Sequence, residues 1–249
     1  MAKVFKVKSE LKSDKNKHFL YSAFALFFVA VFFAAGIWIG VLILQKKTDL
    51  PVAFPCIFIA LGAVMAVIYL IYRKRFFILK AGVKGEKKTL DFLEELPKSY
   101  TVITNPVIRS RGAEMELDFA VIGENGVFIV ETKNYSGIIH GKTSQNSWKQ
   151  IKHSKNNKVY EKEVKNPARQ VARQAGKMRE LLIDLDVSAD VFPILFFTDS
   201  RSEIKITDDC DMNVPVFKNK AKLLEYITSA AGKRGVNSAE RAKIVRLFK

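Results

Sequence analysis

Asp118, Glu131 and Lys133 are the residues whose types and spacing could do chemistry in this 249-residue chain. They stand in two short segments, Glu116-Leu117-Asp118 and Glu131-Thr132-Lys133, separated by the turn-forming run Gly123-Glu124-Asn125-Gly126. Glu116 to Ile122 alternates and is rich in β-formers, and Val127 to Lys133 reads as a strongly apolar strand, so the two predict a hairpin. Residues two apart share a face of a strand, which sets Glu131 and Lys133 side by side. The turn brings the start of the first strand back beside the end of the second, so Asp118 and the Glu131/Lys133 pair converge at one end of a sheet. Charges buried beyond Val127-Phe128-Ile129-Val130 are costly without partners. Two neighbouring carboxylates repel, and a divalent cation removes the repulsion. Mg2+ (or Mn2+) suits such a site, because Mg2+ takes one or two carboxylates together with waters and phosphate oxygens. A lysine beside it would orient or deprotonate a water, or stabilise charge building on phosphate. The same E-x-K spacing also occurs in plain surface ion pairs, so these three residues alone leave both readings open.

The elements that must position these residues follow from periodicity. Leu90, Phe92, Leu93 and Leu96 recur at helical spacing and Pro97 follows as a stop, which predicts a helix from about Val83 to Leu96. Tyr100 to Ile108 reads as one strand, and a further pair is expected around Gly137 to Gly141 and near Trp148. The lysine-rich stretch Lys149 to Lys165 has no apolar period and reads as an exposed loop. Pro167 suits the first position of a helix reaching about Leu185. Strands at Val191 to Thr198 and Val214 to Phe217 follow. Helices from Lys220 to Ala230 (Asn219 as cap, Gly232 as stop) and from Ala239 to Phe248 (Ser238 as cap) close the chain. The pattern is α/β, a mixed sheet flanked by helices.

Within this frame the segment resembles the nuclease-related domain, NERD, a distant branch of the PD-(D/E)xK nuclease superfamily. The resemblance runs over roughly residues 82 to 200 and is carried by a series of motifs. These are the Gly85-Glu86 pair opening the first helix, the Glu116-Leu117-Asp118 strand and the GVFIVETKNYSG block from Gly126 to Gly137. Gly141, Trp148 and the Asn166-Pro167-x-x-Gln170 helix start complete the series. The resemblance implies a restriction-endonuclease-like sheet in which Asp118 and Glu131 are metal ligands and Lys133 is the catalytic lysine. Glu86 would be an additional acidic residue near the metal, and Gln170 a glutamine packing toward the site from the following helix. For Gln170, hydrogen bonding at the helix start without chemistry is the competing reading. The chain departs from the wider superfamily at Leu117, where a proline would stand before Asp118. The implied activity is Mg-dependent nuclease (endonuclease) hydrolysis of phosphodiester bonds, with DNA expected ahead of RNA as the substrate.

Ahead of this domain lies a different material. Residues 18 to 72 are 55 positions with three charges, Lys46, Lys47 and Asp49. Phe19 to Leu44 is an uncharged run of 26, long enough as a helix to cross a bilayer core with some tilt. Leu50 to Tyr72 is a second run, with Pro51 and Pro55 in its first turns, where proline is tolerated best. The five-residue link Gln45 to Asp49 forces an antiparallel return, a transmembrane hairpin. Six lysines precede it and Arg73, Lys74 and Arg75 follow it at once, against two lysines in the link, so the positive-inside rule puts both flanks in the cytosol. A secretory signal has an apolar core of only about 7–15 residues, and no second span follows it. The spans carry no ionisable residue that would mark a transport path. The organisation expected is a basic cytosolic segment (1–17), two spans (19–44 and 50–72 within 18–72), a basic linker (73–81) and the nuclease-like domain (82–249). Its place is the cell membrane, as a multi-pass protein whose partners are the lipid bilayer and nucleic acid.

The net charge of +16 divides as +4 over residues 1–17, +1 over 18–72 and +11 beyond, so topology accounts for much of it and nucleic-acid binding does not follow from the total. Two cysteines, Cys56 and Cys210, give neither a disulfide framework nor metal spacing, and no phosphate-binding G-x-x-x-x-G-K-[ST] loop occurs. His140 and His153 have no partner at metal spacing. Lys149, Lys152, Lys155 and Lys158, beside Trp148 and Tyr160, suggest a surface for phosphates and stacked bases, or else a merely solvated loop. Arg169, Arg173, Lys177 and Arg179 lie partly along one helix face and are further candidates to meet phosphate. The reading from another class is a non-catalytic, membrane-tethered nucleic-acid-binding or protein-interaction module on a nuclease-like fold.

Overall fold

The computed structural model describes every residue except 111–112, 154–157, 231–233 and 249, and the side chains of 110 and 113 are left aside. In chain order the elements are β1 (Lys3–Lys6), α1 (Glu10–Leu44), α2 (Ala53–Leu93), β2 (Thr101–Thr104), β3 (Val107–Ser110), β4 (Ala113–Glu116) and β5 (Phe119–Gly123). Then come β6 (Gly126–Lys133), β7 (Gly137–Lys142), β8 (Ser147–His153), β9 (Val159–Lys165) and α3 (Pro167–Asp184). β10 (Val191–Phe197), β11 (Ser202–Thr207), β12 (Val216–Phe217), α4 (Lys220–Ser229) and α5 (Ser238–Arg246) complete the chain. Among the described residues one sheet runs β1-β2-β5-β6-β10-β12, a second β11-β7-β8-β9, and β3 pairs with β4 alone. The first sheet is mixed: β5 is antiparallel to β2 and β6, while β10 runs parallel to β6 and β12.

Strict alternation along the central strands separates two cores. Val127 and Ile129 of β6, with Ala120, Ile122, Leu195 and Phe197, join a cluster with Val171, Ala175, Met178 and Leu182 of α3 and with Trp148. Phe128 and Val130, with Phe119, Val121, Ile194 and Phe196, join Leu93 at the end of α2 and Leu223 and Ile227 of α4. The main sheet is thus covered by helices on both faces, as the sequence predicted for an α/β domain.

The chain divides into two compact units, Met1–Ser9 with Lys84–Lys249, and Glu10–Val83. In the second unit α1 and α2 pack antiparallel. A Cβ on Gly36 would lie 3.0 Å from Ile59, one on Gly62 3.0 Å from the Phe33 ring, and Tyr21 meets Tyr72 at 5.3 Å between ring centroids. Both helices are long and apolar enough to cross a membrane by length and composition.

Several boundaries differ from those predicted. The helix expected at 83–96 is the last part of α2, which runs unbroken from Ala53 because nothing between Tyr72 and Val83 breaks a helix except Gly82. The single strand expected over Tyr100 to Ile108 is two strands. Asn105 takes a left-handed φ of 51° and Pro106 has no N–H to continue a ladder, so the chain leaves the main sheet there. Lys149 to Lys165 is not an exposed loop: apart from residues 154–157, which include Lys155 and lie outside the described residues, most of it is β8 and β9, paired antiparallel from Ser147 with Lys165 to His153 with Val159. The cap of α5 is Asn237, in a reciprocal capping box with Glu240, rather than Ser238. The Asn219 cap of α4 is as predicted, and Gly232 lies outside the described residues.

β1 is an element that periodicity did not predict. It pairs in parallel with β2, from Lys3 with Thr101 to Lys6 with Thr104. Val4 packs against the cluster on one face of the sheet, and Phe5 and Val7 against the cluster on the other. Val4→Asp sets a carboxylate against an apolar core and is expected to cost about 1–3 kcal/mol. The check is a lower urea midpoint for the domain transition of the full chain in detergent micelles; an unchanged midpoint would show that residues 3–6 do not contribute to the domain.

Candidate active site

The site is built on the hairpin of β5 and β6 and on the start of α3. Glu131 follows Val127 and Ile129 on the α3-facing side of β6, at 2 % exposure. Phe119 pairs with Val130 as the last rung between β5 and β6, so Asp118, one residue earlier, lies next to Glu131. The Thr132 N–H donates to Asp118 Oδ2 at 2.8 Å, which fixes that carboxylate across the hairpin. On the opposite face Thr132 Oγ1 donates to Thr89 Oγ1 of α2 at 3.1 Å. Leu117 is explained locally: its N–H donates to the Pro106 carbonyl at 3.0 Å, and a proline there would lose that bond.

Lys133 and Gln170 close on Glu131. Lys133 Nζ donates to Glu131 Oε1 at 2.5 Å and to Gln170 Oε1 at 3.2 Å, while Gln170 Nε2 donates to Glu131 Oε1 at 2.7 Å. The three side chains form a closed triangle, so Gln170 does reach the site. Its place is set by the start of α3. The Asn166 side chain accepts from the N–H groups of Ala168 (2.9 Å) and Arg169 (3.2 Å) and donates to the carbonyls of Thr143 (3.0 Å) and Gln145 (2.8 Å), and Pro167 opens the first turn.

Glu86 comes from α2. Gly85 beside it allows the approach, since a Cβ there would lie 2.9 Å from Asn134 Cβ and 3.1 Å from Thr198 Oγ1, at the ends of β6 and β10. Burial pushes Glu86 from 4.5 up to about 7, against a hydrogen bond with Asn105 and with help from the charges of Glu116 and Glu131. Burial and then the neighbouring Glu131 charge push Asp118 well above the usual carboxylate range, against the pull of Lys133 and the Thr132 N–H. Burial alone would lower the Lys133 ammonium, but the negative charges of Glu131 and Asp118 outweigh it and hold it above its ordinary value. Glu86, Asp118 and Glu131 thus form a cluster of carboxylates that repel one another, with one lysine among them.

Among the described residues no group of three or more His, Cys, Asp or Glu is placed to hold a metal ion. Asp118 and Glu131 are a pair of oxygen donors of the kind Mg2+ uses together with water and phosphate. Two residues at the site were not found from the sequence. Gln174, one turn beyond Gln170, donates from Nε2 to Glu131 Oε2 at 3.0 Å and to the Glu116 carbonyl at 3.3 Å. Asn105 donates its backbone N–H to the Asp118 carbonyl at 2.9 Å while its side chain meets Glu86. The signals that would have found them are a polar residue four after Gln170 on an apolar helix face, and an Asn-Pro pair inside a strand pattern.

The basic groups fare differently. Trp148 is buried at 1 % exposure with its Nε1–H on the Lys142 carbonyl, so it offers no face for base stacking, and Gly141 is its packing partner. Arg169 binds Ser144 and Asn146, Lys177 pairs with Glu180, and Arg179 donates to the Val191 carbonyl, which leaves Arg173 exposed without such a partner among the described residues.

The model of the family described as nuclease-related domain, NERD, matches residues 81–198. Residues 81–198 are a nuclease-related domain. An uncharacterized protein of Bacillus anthracis is 44 % identical over 72 residues, 28 % of this chain and 33 % of that protein, so the chain spans about a third of the curated relative it matches. No solved structure matches the chain. The NERD segment holds Glu86, Asp118, Glu131, Lys133, Gln170 and Gln174, so every side chain of the carboxylate cluster and its clamp falls within it.

The Glu86 shift makes the domain sensitive to pH. Its folded value lies above its unfolded one, so the folded state holds the proton more tightly, and stability without metal falls as pH rises from 4.5 to about 7. In EDTA the full chain is expected to unfold at a higher temperature at pH 5 than at pH 8. Glu86→Gln should reduce this difference, the raised Asp118 supplying the remainder, and an equal slope in both proteins would remove Glu86 as a source.

Proposed function

We propose that this protein is a membrane-anchored, divalent-metal-dependent nuclease that hydrolyses phosphodiester bonds, in DNA ahead of RNA, with its nuclease-related domain in the cytosol. The observation that carries the reading is the Glu131–Lys133–Gln170 triangle beside Asp118. A module that only bound nucleic acid would gain nothing from burying carboxylates together, because they repel both one another and phosphate.

Asp118 and Glu131 would hold the cation, which when bound supplies positive charge to the scissile phosphate and acidifies water. The chain's own groups do the rest. Gln170 holds the Lys133 ammonium and Glu131 in fixed relation, so Lys133 meets the phosphate as an oriented cation and stabilises the charge that builds there. Its Nζ would also orient the attacking water. Glu86 adds a third carboxylate from α2, within electrostatic reach of Asp118 and Glu131.

The membrane reading is supported by connectivity. Residues 1–9 and 84–249 belong to one compact unit, so both flanks of the apolar hairpin must lie on the same side of any bilayer it crosses. The basic residues flanking the spans assign that side to the cytosol. A reporter fused after residue 249 should therefore be active inside the cell, and activity outside would overturn the topology.

The full chain in detergent micelles should cut DNA with Mg2+ and stop with EDTA. Lys133→Ala is expected to lower the rate by about 10²–10⁴-fold, measured on DNA and RNA side by side. Cleavage as fast as the parent would remove Lys133 from the chemistry. Salt-sensitive DNA binding with no cleavage at any divalent metal would place the domain among binding modules instead.

A further inference from the structure

Gln174 is among the most buried polar side chains of the domain, at 2 % exposure, on the face of α3 that also buries Val171, Ala175 and Met178. A helix that needed only to fill space there would carry an apolar residue, as it does one turn later at Met178. The amide instead sits with Nε2 between two acceptors, Glu131 Oε2 at 3.0 Å and the Glu116 carbonyl at 3.3 Å. Its own Oε1 is buried and has no hydrogen-bond partner among the described residues. Reversing the amide gives no relief, because Oε1 would then face a carboxylate and a carbonyl. An unpaired buried acceptor is unfavourable, so the orientation is set by what the N–H groups hold.

What they hold is the second oxygen of Glu131. Lys133 and Gln170 both donate to Oε1, and Gln174 alone among the described residues donates to Oε2. A carboxylate has about four acceptor positions, so these three bonds fix its plane and leave one position open. Gln170 and Gln174, four residues apart, therefore divide the two oxygens between them. Without Gln174 the carboxylate could turn about its last bond while keeping Lys133.

We propose that Gln174 is a positioning residue that fixes the plane of Glu131 so that its remaining acceptor position is presented to a divalent cation. This rests on the reading of Asp118 and Glu131 as the cation's ligands. Groups that orient a metal ligand in this way are typically worth about 10–100-fold in metal affinity or activity.

The test is Mn2+ binding to the full chain in micelles, followed by the loss of the free-ion electron paramagnetic resonance signal, with no nucleic acid present. The parent, Gln174→Met and Asp118→Asn are compared, and thermal unfolding in EDTA is recorded for each. Roughly 10–100-fold weaker Mn2+ binding by Gln174→Met, in a protein that still unfolds cooperatively, is the expected result. A role in packing alone predicts a lower unfolding temperature with Mn2+ affinity unchanged, and that outcome overturns the proposal. Should Gln174→Met fail to fold, Gln174→Asn, which keeps the amide but draws it back by one methylene, is read the same way. If the parent and Asp118→Asn bind Mn2+ equally, the ligand assignment itself falls, and the role of Gln174 falls with it. An unchanged Gln174→Met beside a weakened Asp118→Asn overturns the role of Gln174 alone.

Discussion

The carboxylate of Glu131 lies at the end of a strand whose four preceding residues are all buried and apolar, and desolvating it there is unfavourable unless its oxygens find donors. The surroundings can be read as the means by which that cost is offset. Lys133 supplies charge from the same face of the strand, and Gln170 and Gln174 supply amides from one face of α3. For both amides to reach, α3 must begin at a fixed point, which the Asn166 cap and Pro167 determine. Asp118 is brought beside Glu131 by the hairpin register, and Glu86 by the close approach that Gly85 allows. Moving any one of these elements by a turn or a register step would leave a buried charge with fewer partners.

Much of this was legible in the sequence because it depends on short-range rules. Alternation in β6, the Gly123–Gly126 turn and the Asn166-Pro167 helix start each act within a few residues, and together they bring Asp118, Glu131, Lys133 and Gln170 to one place. Gln174 was not legible, because i and i+4 spacing says which residues share a helix face but not that this face meets a carboxylate. Asn105 was missed because a strand pattern conceals a left-handed residue unless the following proline is given weight.

The larger misreadings share one physical cause. β8 and β9 lie in a sheet with only one face in the core, and every residue from Val159 to Glu163 is exposed, so their lysines and glutamates show no apolar period. β1 is only four residues long, with exposed lysines at both ends and two apolar residues between them, and a sequence window sees it as part of a basic segment. β1 and β9 are edge strands, protected from aggregation by their charges, and those charges also mask them from hydrophobic patterning. Trp148 erred in the opposite direction. Among lysines it suggested a stacking platform, whereas its ring packs against Gly141 inside the core.

The pairing of β1 with β2 carries a consequence for the order in which the molecule is made. Lys3 and Thr101 are neighbours in the sheet, yet the whole apolar hairpin is synthesised between them. Residues 3–6 leave the ribosome before both long helices and β2, and wait for their β2 partner until these have followed. Domains generally form as units during synthesis, and contacts this distant in sequence are the slow ones. The sheet edge therefore closes only after the hairpin has been translated. Completion of the main sheet is thus timed by the apolar hairpin.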